Sequence, residues 1–316
     1  MRTTLRWVVR RTRKPIIPNS VPGMLTMTSI SRSFGDHRVL DDVTFDVRPG
    51  RMTGFLGANG SGKTTTMRII LGVLTPHTGT VSWNGGPVTE EQRPGFGYMP
   101  EERGLYPKMK VAEQITWLGR LHGMDRAAAR ANTDRLLAEL ELTDRANDKL
   151  EALSLGNQQR VQIAAALVHD PAVLILDEPF SGLDPIAVEI VLDVLRKRAA
   201  GGVPVLFSSH QLAVVERLCD DVVIISKGRI AASGSREELR ARHGTARFEL
   251  VVESDAGWVR DVPGARVVEL DGPRAVFEVS EADAEQRVLA AAVGRGAVRG
   301  FTAVVPTLDE IFKEVI

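Results

Sequence analysis

Residues 57–64 read Gly57-Ala58-Asn59-Gly60-Ser61-Gly62-Lys63-Thr64 and match the phosphate-loop pattern G-x-x-x-x-G-K-[ST] at every position. Backbone N–H groups must converge on phosphate oxygens in such a loop, and only residues without a side chain let the backbone turn so tightly. Lys63 then places a compact positive charge against the outer phosphates, and the Thr64 hydroxyl can bind the Mg²⁺ that bridges them. The segment therefore predicts a protein that binds a nucleoside triphosphate with Mg²⁺.

The flanks of this loop agree with the prediction. A phosphate loop leaves a buried strand and opens a helix. Met52–Leu56 is a short apolar run typical of a strand. Apolar residues recur at helical spacing after the loop, at Met67, Ile69, Ile70 and Leu74. The alternative, a glycine-rich turn with an incidental lysine, leaves both flanks unexplained.

Length and composition limit the other function classes. A chain of 316 residues predicts about two domains. The chain has 40 Lys and Arg residues and 40 Asp and Glu residues, so it has no net positive charge that would favour binding to nucleic acid. The single cysteine, Cys219, excludes an internal disulfide and is expected to be a buried small apolar residue. No window approaches about 18 uninterrupted apolar residues, so any membrane role is expected to be peripheral.

Residues 1–22 form a basic, proline-containing extension without an acidic residue. We expect either a disordered, solvated tail or an upstream start codon, with Met24 or Met27 as the functional start. Weak adhesion to anionic lipid is the alternative. A secretory signal is not indicated, because only Trp7-Val8-Val9 interrupts the charges and no apolar core follows them.

The next segments predict a small antiparallel sheet, a loop and a helical insert. Alternation between Leu25 and Val47 indicates the sheet, and Phe34 within it is either a base-stacking aromatic or a core or turn residue. Residues 98–107 are too rich in Pro and Gly for regular structure and suggest a functional loop. Four leucines then mark the apolar face of a helical insert, Leu136, Leu137, Leu140 and Leu142. Ser154 can cap a further helix that runs to about Val168, which creates a second potential anion site.

A carboxylate pair follows the continuous apolar run Val173–Leu176, which is typical of a strand buried on both faces of a parallel sheet. Buried charges need partners, and Mg²⁺ and an attacking water would provide them. We therefore assign Asp177 to the metal shell and Glu178 to polarising the water. The alternative is an ordinary turn at the end of a strand.

A second apolar strand, Val203–Phe207, ends in Ser208-Ser209-His210. Ligands of open parallel sheets gather at the carboxyl ends of their strands, so we expect His210 to contact the γ-phosphate rather than to be purely structural. The remaining histidines carry no functional argument and are expected at the surface: His37, His77, His122, His169 and His243.

Composition shifts near residue 240 and predicts a small C-terminal α+β domain over residues 239–316. Strands are expected around Phe248, Val267, Val276 and Val304. A helix is expected from about Ala282 to Val293, and a last one from near Thr307.

In this order, the phosphate loop, the Ser154-Leu155-Gly156 segment, Asp177-Glu178, the Ser181-to-Asp184 turn and His210 resemble the ATPase subunit of ATP-binding cassette transporters over roughly residues 25–235. The resemblance implies an α/β fold with a P-loop NTPase core. That core, residues 23–238, would combine a mixed sheet with an antiparallel β subdomain and a helical subdomain at about 105–168. The α+β domain would follow. Two such ATPase domains pair head to tail in that family and enclose two ATP molecules with Mg²⁺.

The resemblance also implies a role for each matching residue. Phe34 stacks on the base, and residues 57–65, which extend the loop to Thr65, bind the phosphates. Glu101 occupies the Q-loop position near the metal, and Asp177 and Glu178 are the metal and catalytic carboxylates. Residues acting across the dimer or sensing phosphate are Ser154, Gly156, Asp184 and His210.

Two positions depart from the family pattern. L-S-G-G-Q is here Leu153-Ser154-Leu155-Gly156-Asn157, and the Q-loop glutamine is Glu101. Ser154 and Gly156 remain, so binding of the partner's phosphate is still expected. Glu101 can meet Mg²⁺ through water, although it adds negative charge beside the triphosphate.

The variants around residues 100–107 and 153–159, together with the C-terminal Pro306–Phe312 segment, resemble a bacterial subgroup that powers separate exporter permeases for sodium or drugs. This implies a cytoplasmic protein on the inner face of the membrane, a permease partner, a homodimer or paired ATPase with ATP bound, and no nucleic-acid partner. The alternative is a soluble cassette ATPase acting on ribosomes or DNA, but neither a second phosphate loop nor sustained heptads are present. A further hypothesis makes residues 240–316 a regulatory or dimer-stabilising domain.

Overall fold

The computed structural model describes residues 23–102, 104–210, 212–243, 246–305 and 307–316. The expectations for the N-terminal extension, residues 1–22, lie outside this range. The chain divides into two compact units between Ser233 and Gly234, whereas the sequence placed the boundary at residue 239.

The first unit begins with alternating strands and continues through the phosphate-loop helix into helices and buried strands. In chain order its elements are β1 (Leu25–Phe34), β2 (His37–Val47), β3 (Met52–Leu56), α1 (Lys63–Ile70), β4 (Thr78–Trp83), β5 (Gly86–Pro87), β6 (Phe96–Met99), α2 (Val111–Leu121), α3 (Arg126–Glu139), α4 (Leu155–Leu167), β7 (Val173–Leu176), α5 (Pro185–Ala200), β8 (Val205–Ser208), α6 (Leu212–Leu218), β9 (Asp221–Ser226) and β10 (Arg229–Ser235), the last of which crosses the division.

The expected antiparallel sheet has the order β2-β1-β4-β5 in the described residues. Leu25, Met27 and Ile30 of β1 are fully buried. Leu25 and Met27 point to the same face because they are alternate residues of the strand, and a register shift between Met27 and Ile30 returns Ile30 to that face. These side chains share a core with Met67 and Ile70 of α1. The sheet therefore packs close to the helix that opens at the phosphate loop.

The central sheet has the order β10-β9-β3-β8-β7-β6 among the described strands. The pairs β3–β8, β3–β9, β7–β8 and β6–β7 are parallel. A two-residue turn joins β9 to β10, and a turn that short connects only antiparallel neighbours, so the sheet is mixed. All residues of β3, β7 and β8 are buried, as their apolar runs predict. Parallel pairing brings the carboxyl ends of these three strands to one edge of the sheet.

The helical insert is formed by α2, α3 and the start of α4. Its four predicted leucines are at most 1% exposed, at positions 136, 137, 140 and 142. Asp125 caps α3 by accepting a hydrogen bond of 2.8 Å from the Ala128 amide.

Two of the histidines expected at the surface are half-buried and contact each other. His122 follows α2 and His169 follows α4, and their rings stack with centroids 3.7 Å apart and an interplanar angle of 8°. His122 Nδ1 lies 2.9 Å from the Pro94 carbonyl, and His169 Nε2 lies 3.3 Å from that of Phe96. Burial, reinforced by His122, lowers the pKa of His169 to about 4. No periodic pattern in the sequence indicates that two residues so far apart in the chain would meet.

The second unit is an α+β domain, as expected. Its elements are α7 (Arg236–His243), β11 (Arg247–Val252), β12 (Ala265–Asp271), β13 (Arg274–Val279), α8 (Ala284–Arg295), β14 (Val298–Val304) and α9 (Leu308–Val315). The described strands form an antiparallel sheet in the order β12-β13-β11-β14. Leu250, Phe277 and Val288 are fully buried in its core. A capping box between Thr307 and Glu310 starts α9.

Candidate nucleotide-binding and hydrolysis site

The phosphate loop joins β3 to α1 and depends on glycine for two different reasons. Gly62 has φ of 112°, in the left-handed region that side chains disfavour. At Gly57 the reason is space, since an added Cβ would lie 2.5 Å from the Ile225 carbonyl oxygen and from Ser61 Oγ. Ser61 Oγ is buried and has no hydrogen-bond partner in the part of the chain that the structure describes. The loop is thus a tight cradle with a free polar atom, which fits the phosphates of a nucleotide.

Lys63 is the first residue of α1 and is only 9% exposed. Its Nζ donates hydrogen bonds to the carbonyls of Gly57 at 2.7 Å and Ala58 at 3.2 Å. Burial lowers the pKa of Lys63, and the carboxylates of Glu178, Asp177 and Glu101 oppose that shift. A buried ammonium at the start of a helix is a favourable place for an anion.

Asp177 follows β7, is 1% exposed and is held by two hydroxyl groups. Thr64 Oγ1 donates to its Oδ2 at 3.1 Å, and Ser208 Oγ donates to its Oδ1 at 2.6 Å. The sequence predicted Thr64 and Asp177 but gave Ser208 no role. The parallel register explains the contact: Leu176 pairs with Phe207, so Asp177, just after β7, lies beside Ser208, the last residue of β8.

Glu178 has φ of 53°, which is uncommon for a residue with a side chain. Its amide donates to Ser208 Oγ at 2.8 Å, and its carbonyl accepts from Gln159 Nε2 at 3.0 Å. Its Oε2 lies 3.0 Å from Nδ1 of His210. The Glu178 side chain is 12% exposed and that of His210 is 60% exposed, so the histidine reaches outward from the carboxylate.

The donor set also fits Mg²⁺. No group of three His, Cys, Asp or Glu side chains within the described ranges could hold a metal ion. Mg²⁺ in nucleotide sites is bound by one or two protein oxygens together with substrate phosphates and water, so such a group is not required. The Thr64 hydroxyl and the Asp177 carboxylate, which share a hydrogen bond, are oxygen donors of the required kind.

Four predicted residues lie on other elements. Phe34, at the end of β1, is 47% exposed, and the Arg32 guanidinium lies 5.1 Å from the centre of its ring. Ser154 and Asp184 cap α4 and α5, accepting amide hydrogen bonds at 3.4 Å and 2.8 Å. A Cβ added to Gly156 would meet atoms only at 3.6 Å, an ordinary contact. None of the four joins the hydrogen bonds described above for Lys63, Thr64, Asp177, Glu178 and His210.

Glu101 lies in the exposed loop after β6. Its charge acts on Lys63, where it opposes the lowering of the lysine pKa. The structure therefore places this carboxylate within electrostatic range of the phosphate loop.

Two family patterns match the chain. The one described as "ABC transporter" matches residues 40–181, and "ATP-binding protein DrrA1-3-like, C-terminal domain" matches residues 234–316. A solved chain described as "Structure of ATP binding subunit of ABC transporter" is similar with a TM-score of 0.65 and 35% identity, covering 70% of this chain and 93% of that one.

Relatives match over almost the whole length. The uncharacterized ABC transporter ATP-binding protein YhaQ of Bacillus subtilis is 39% identical over 93% of this chain and 98% of its own. The Nod factor export ATP-binding protein I of Cupriavidus metallidurans is 34% identical over 87% of this chain and 92% of its own. The expected fold class is thereby confirmed. With the phosphate loop and the carboxylate pair in place, the chain belongs to the ABC transporter family, among its ATP-binding proteins.

Proposed function

We propose that this protein hydrolyses ATP with Mg²⁺ and thereby powers a separate exporter permease. The observation that carries the proposal is a continuous series of hydrogen bonds that runs from Thr64 through Asp177, Ser208 and Glu178 to His210. It links the phosphate loop to the predicted catalytic carboxylate. Such a connected site holds its groups in fixed positions, which is the main protein contribution to phosphoryl transfer.

Each residue in the site has a task in that chemistry. Lys63 and the loop amides bind the β- and γ-phosphates. Thr64 and Asp177 would hold Mg²⁺, and the ion, when bound, would supply positive charge beside the phosphates. Glu178 orients the attacking water, and His210, held at 3.0 Å from Glu178 Oε2, contacts the γ-phosphate.

We propose that two copies pair so that Ser154 and Gly156 of one meet the ATP of the other. Gly156 tolerates a Cβ within its own protomer, so an outside contact is the better reason for glycine there. Leu155 is 58% exposed beside it, and Ile186, beside Asp184, is 74% exposed. Exposed large apolar side chains next to polar recognition groups are typical of protein interfaces. Pairing would cover both and would bring Asp184 close to the second site.

The permease is the proposed membrane partner. Within the described residues no helix has the length and apolar composition needed to cross a bilayer. Tyr106 and Trp117 form an edge-to-face pair with centroids 5.8 Å apart, and they are 58% and 37% exposed. An uncovered aromatic pair of this kind supports a protein contact on the helical subdomain. A protein held in this way would lie on the cytoplasmic face of the membrane, and the export name of one relative supports the direction.

Capture from gently solubilised native cells tests this proposal. The bait is the chain with Glu178→Gln, which keeps the ATP-bound form, and Lys63→Ala is the matched control that weakens nucleotide binding. We expect mass spectrometry to find a polytopic membrane protein with the first bait and less of it with the second. Ribosomal or nucleoprotein partners alone would contradict the exporter role and favour the cassette ATPase of ribosomes or DNA.

A further inference from the structure

Ser208 occupies the last position of β8, and its side chain is fully buried. Its hydroxyl makes two contacts with consecutive residues of the neighbouring strand end. It donates to Asp177 Oδ1 at 2.6 Å and accepts from the Glu178 amide at 2.8 Å. One hydroxyl therefore touches a side chain of the metal site and the backbone of the catalytic carboxylate.

The chemistry of the two partners requires a group that both donates and accepts. An ionised carboxylate only accepts hydrogen bonds, and a backbone amide only donates them. The hydroxyl of Ser or Thr satisfies both with one atom. Alanine would leave one oxygen of Asp177 and the Glu178 amide without this partner in a buried place.

The bond to the Glu178 amide matters because of the conformation of that residue. Its φ of 53° is a left-handed value that a side chain disfavours. Ser208 holds the amide, and Gln159 holds the carbonyl at 3.0 Å. With both ends fixed, the side chain leaves the backbone in one direction and reaches His210. Strained conformations persist only where surrounding contacts determine them in this way.

We propose that Ser208 is a positioning residue that sets both carboxylates of the site at once. It orients Asp177 toward Mg²⁺ through a direct hydrogen bond and aims Glu178 through its backbone. This inference rests on the proposed ATPase function.

The test compares Ser208→Ala with Ser208→Thr, which restores the hydroxyl. Loss of a hydrogen-bond partner behind a metal ligand lowers activity or metal affinity by about 10- to 100-fold. We expect Ser208→Ala to lower kcat by about that factor. We also expect it to weaken binding of the non-hydrolysable analogue AMP-PNP about 10-fold in Mg²⁺ but not in EDTA, as measured by titration calorimetry. Ser208→Thr should recover most of both losses.

Thr53→Val is the matched control. Thr53 lies on β3 of the same sheet, is fully buried, and its hydroxyl has no hydrogen-bond partner among the residues that the structure describes. Valine keeps its shape and removes only the hydroxyl, so kcat and the Mg²⁺ dependence should stay at the wild-type values.

Two results would overturn the role of Ser208. One is Ser208→Ala with wild-type kcat and wild-type Mg²⁺ dependence of binding. The other is an equal loss of AMP-PNP binding in Mg²⁺ and in EDTA, which indicates general damage to the fold. If the wild-type chain hydrolyses no ATP, the proposed function fails, and the Mg²⁺ dependence of AMP-PNP binding still decides the role of Ser208.

Discussion

Gln159 joins helix α4 to Glu178 and Pro179, which follow β7, and replacing it with leucine should weaken both stability and the proposed hydrolysis. Its Nε2 donates to the Glu178 carbonyl at 3.0 Å and to the Pro179 carbonyl at 3.2 Å, and the residue is 4% exposed. The Glu178 carbonyl keeps a second donor, the Ser181 amide at 3.2 Å. Leucine cannot donate a hydrogen bond, so the buried Pro179 carbonyl loses the donor that the structure shows for it.

The expected loss follows from these contacts. A buried acceptor without a partner costs about 1–3 kcal/mol, and the second lost hydrogen bond costs about 1 kcal/mol. The apolar surface that leucine buries offsets about 1 kcal/mol of this. The first unit should therefore lose about 2 kcal/mol of stability. The Glu178 peptide also becomes freer, so kcat should fall while the KM for ATP changes little.

Hydrogen exchange read by mass spectrometry suits this measurement because it reports on β7 and β8 without averaging over the C-terminal domain. Gln158→Leu is the control, since Gln158 Nε2 donates to a nearby backbone group, the Leu153 carbonyl, at 2.9 Å. That variant should keep the wild-type exchange of β7 and β8. Wild-type exchange and wild-type kcat in Gln159→Leu would refute the reasoning.

Three further predictions concern charged or titrating side chains. Glu178→Gln should nearly abolish steady-state ATP hydrolysis and leave ATP binding intact, and unchanged turnover would exclude Glu178 as the catalytic carboxylate. Lys63→Ala should weaken MgATP binding itself, and normal binding would exclude the phosphate-binding role of Lys63. Burial lowers the pKa of His169 from 6.5 to about 4, so the unfolded chain takes up this proton first as the pH falls. The associated stability is present above pH 6.5 and is lost toward pH 4, up to about 3 kcal/mol. His169→Phe should reduce that loss, and urea denaturation at a series of pH values would contradict the prediction if wild type and variant lost stability in parallel.

Much of the fold and part of the site follow from local sequence signals. Met52–Leu56 and Val173–Leu176 are strands with the expected bounds, because a short continuous apolar run between turn residues is typical of a buried strand. The phosphate loop and Asp177 are similarly readable from residue type and spacing. Contacts between segments that are distant in the sequence could not be predicted in this way. The stacking of His122 on His169 and the bonds of Ser208 depend on how strands and helices pack, and no single segment contains that information.

Gln159 shows why the missed contacts matter for function. It lies on α4, the helix that begins just after Ser154 and includes Gly156, and its side chain reaches the Glu178 carbonyl. In the proposed dimer, the start of α4 meets ATP bound to the partner, while Glu178 acts on ATP bound to its own chain. A small shift of α4 on binding the partner's nucleotide would move Gln159 and, through it, the peptide of Glu178. Coupling between sites needs an element that both contact, and in the proposed dimer α4 would be such an element. Two identical ATP sites could thus influence each other through one amide side chain, and Gln159→Leu should reduce any cooperativity in ATP turnover together with kcat.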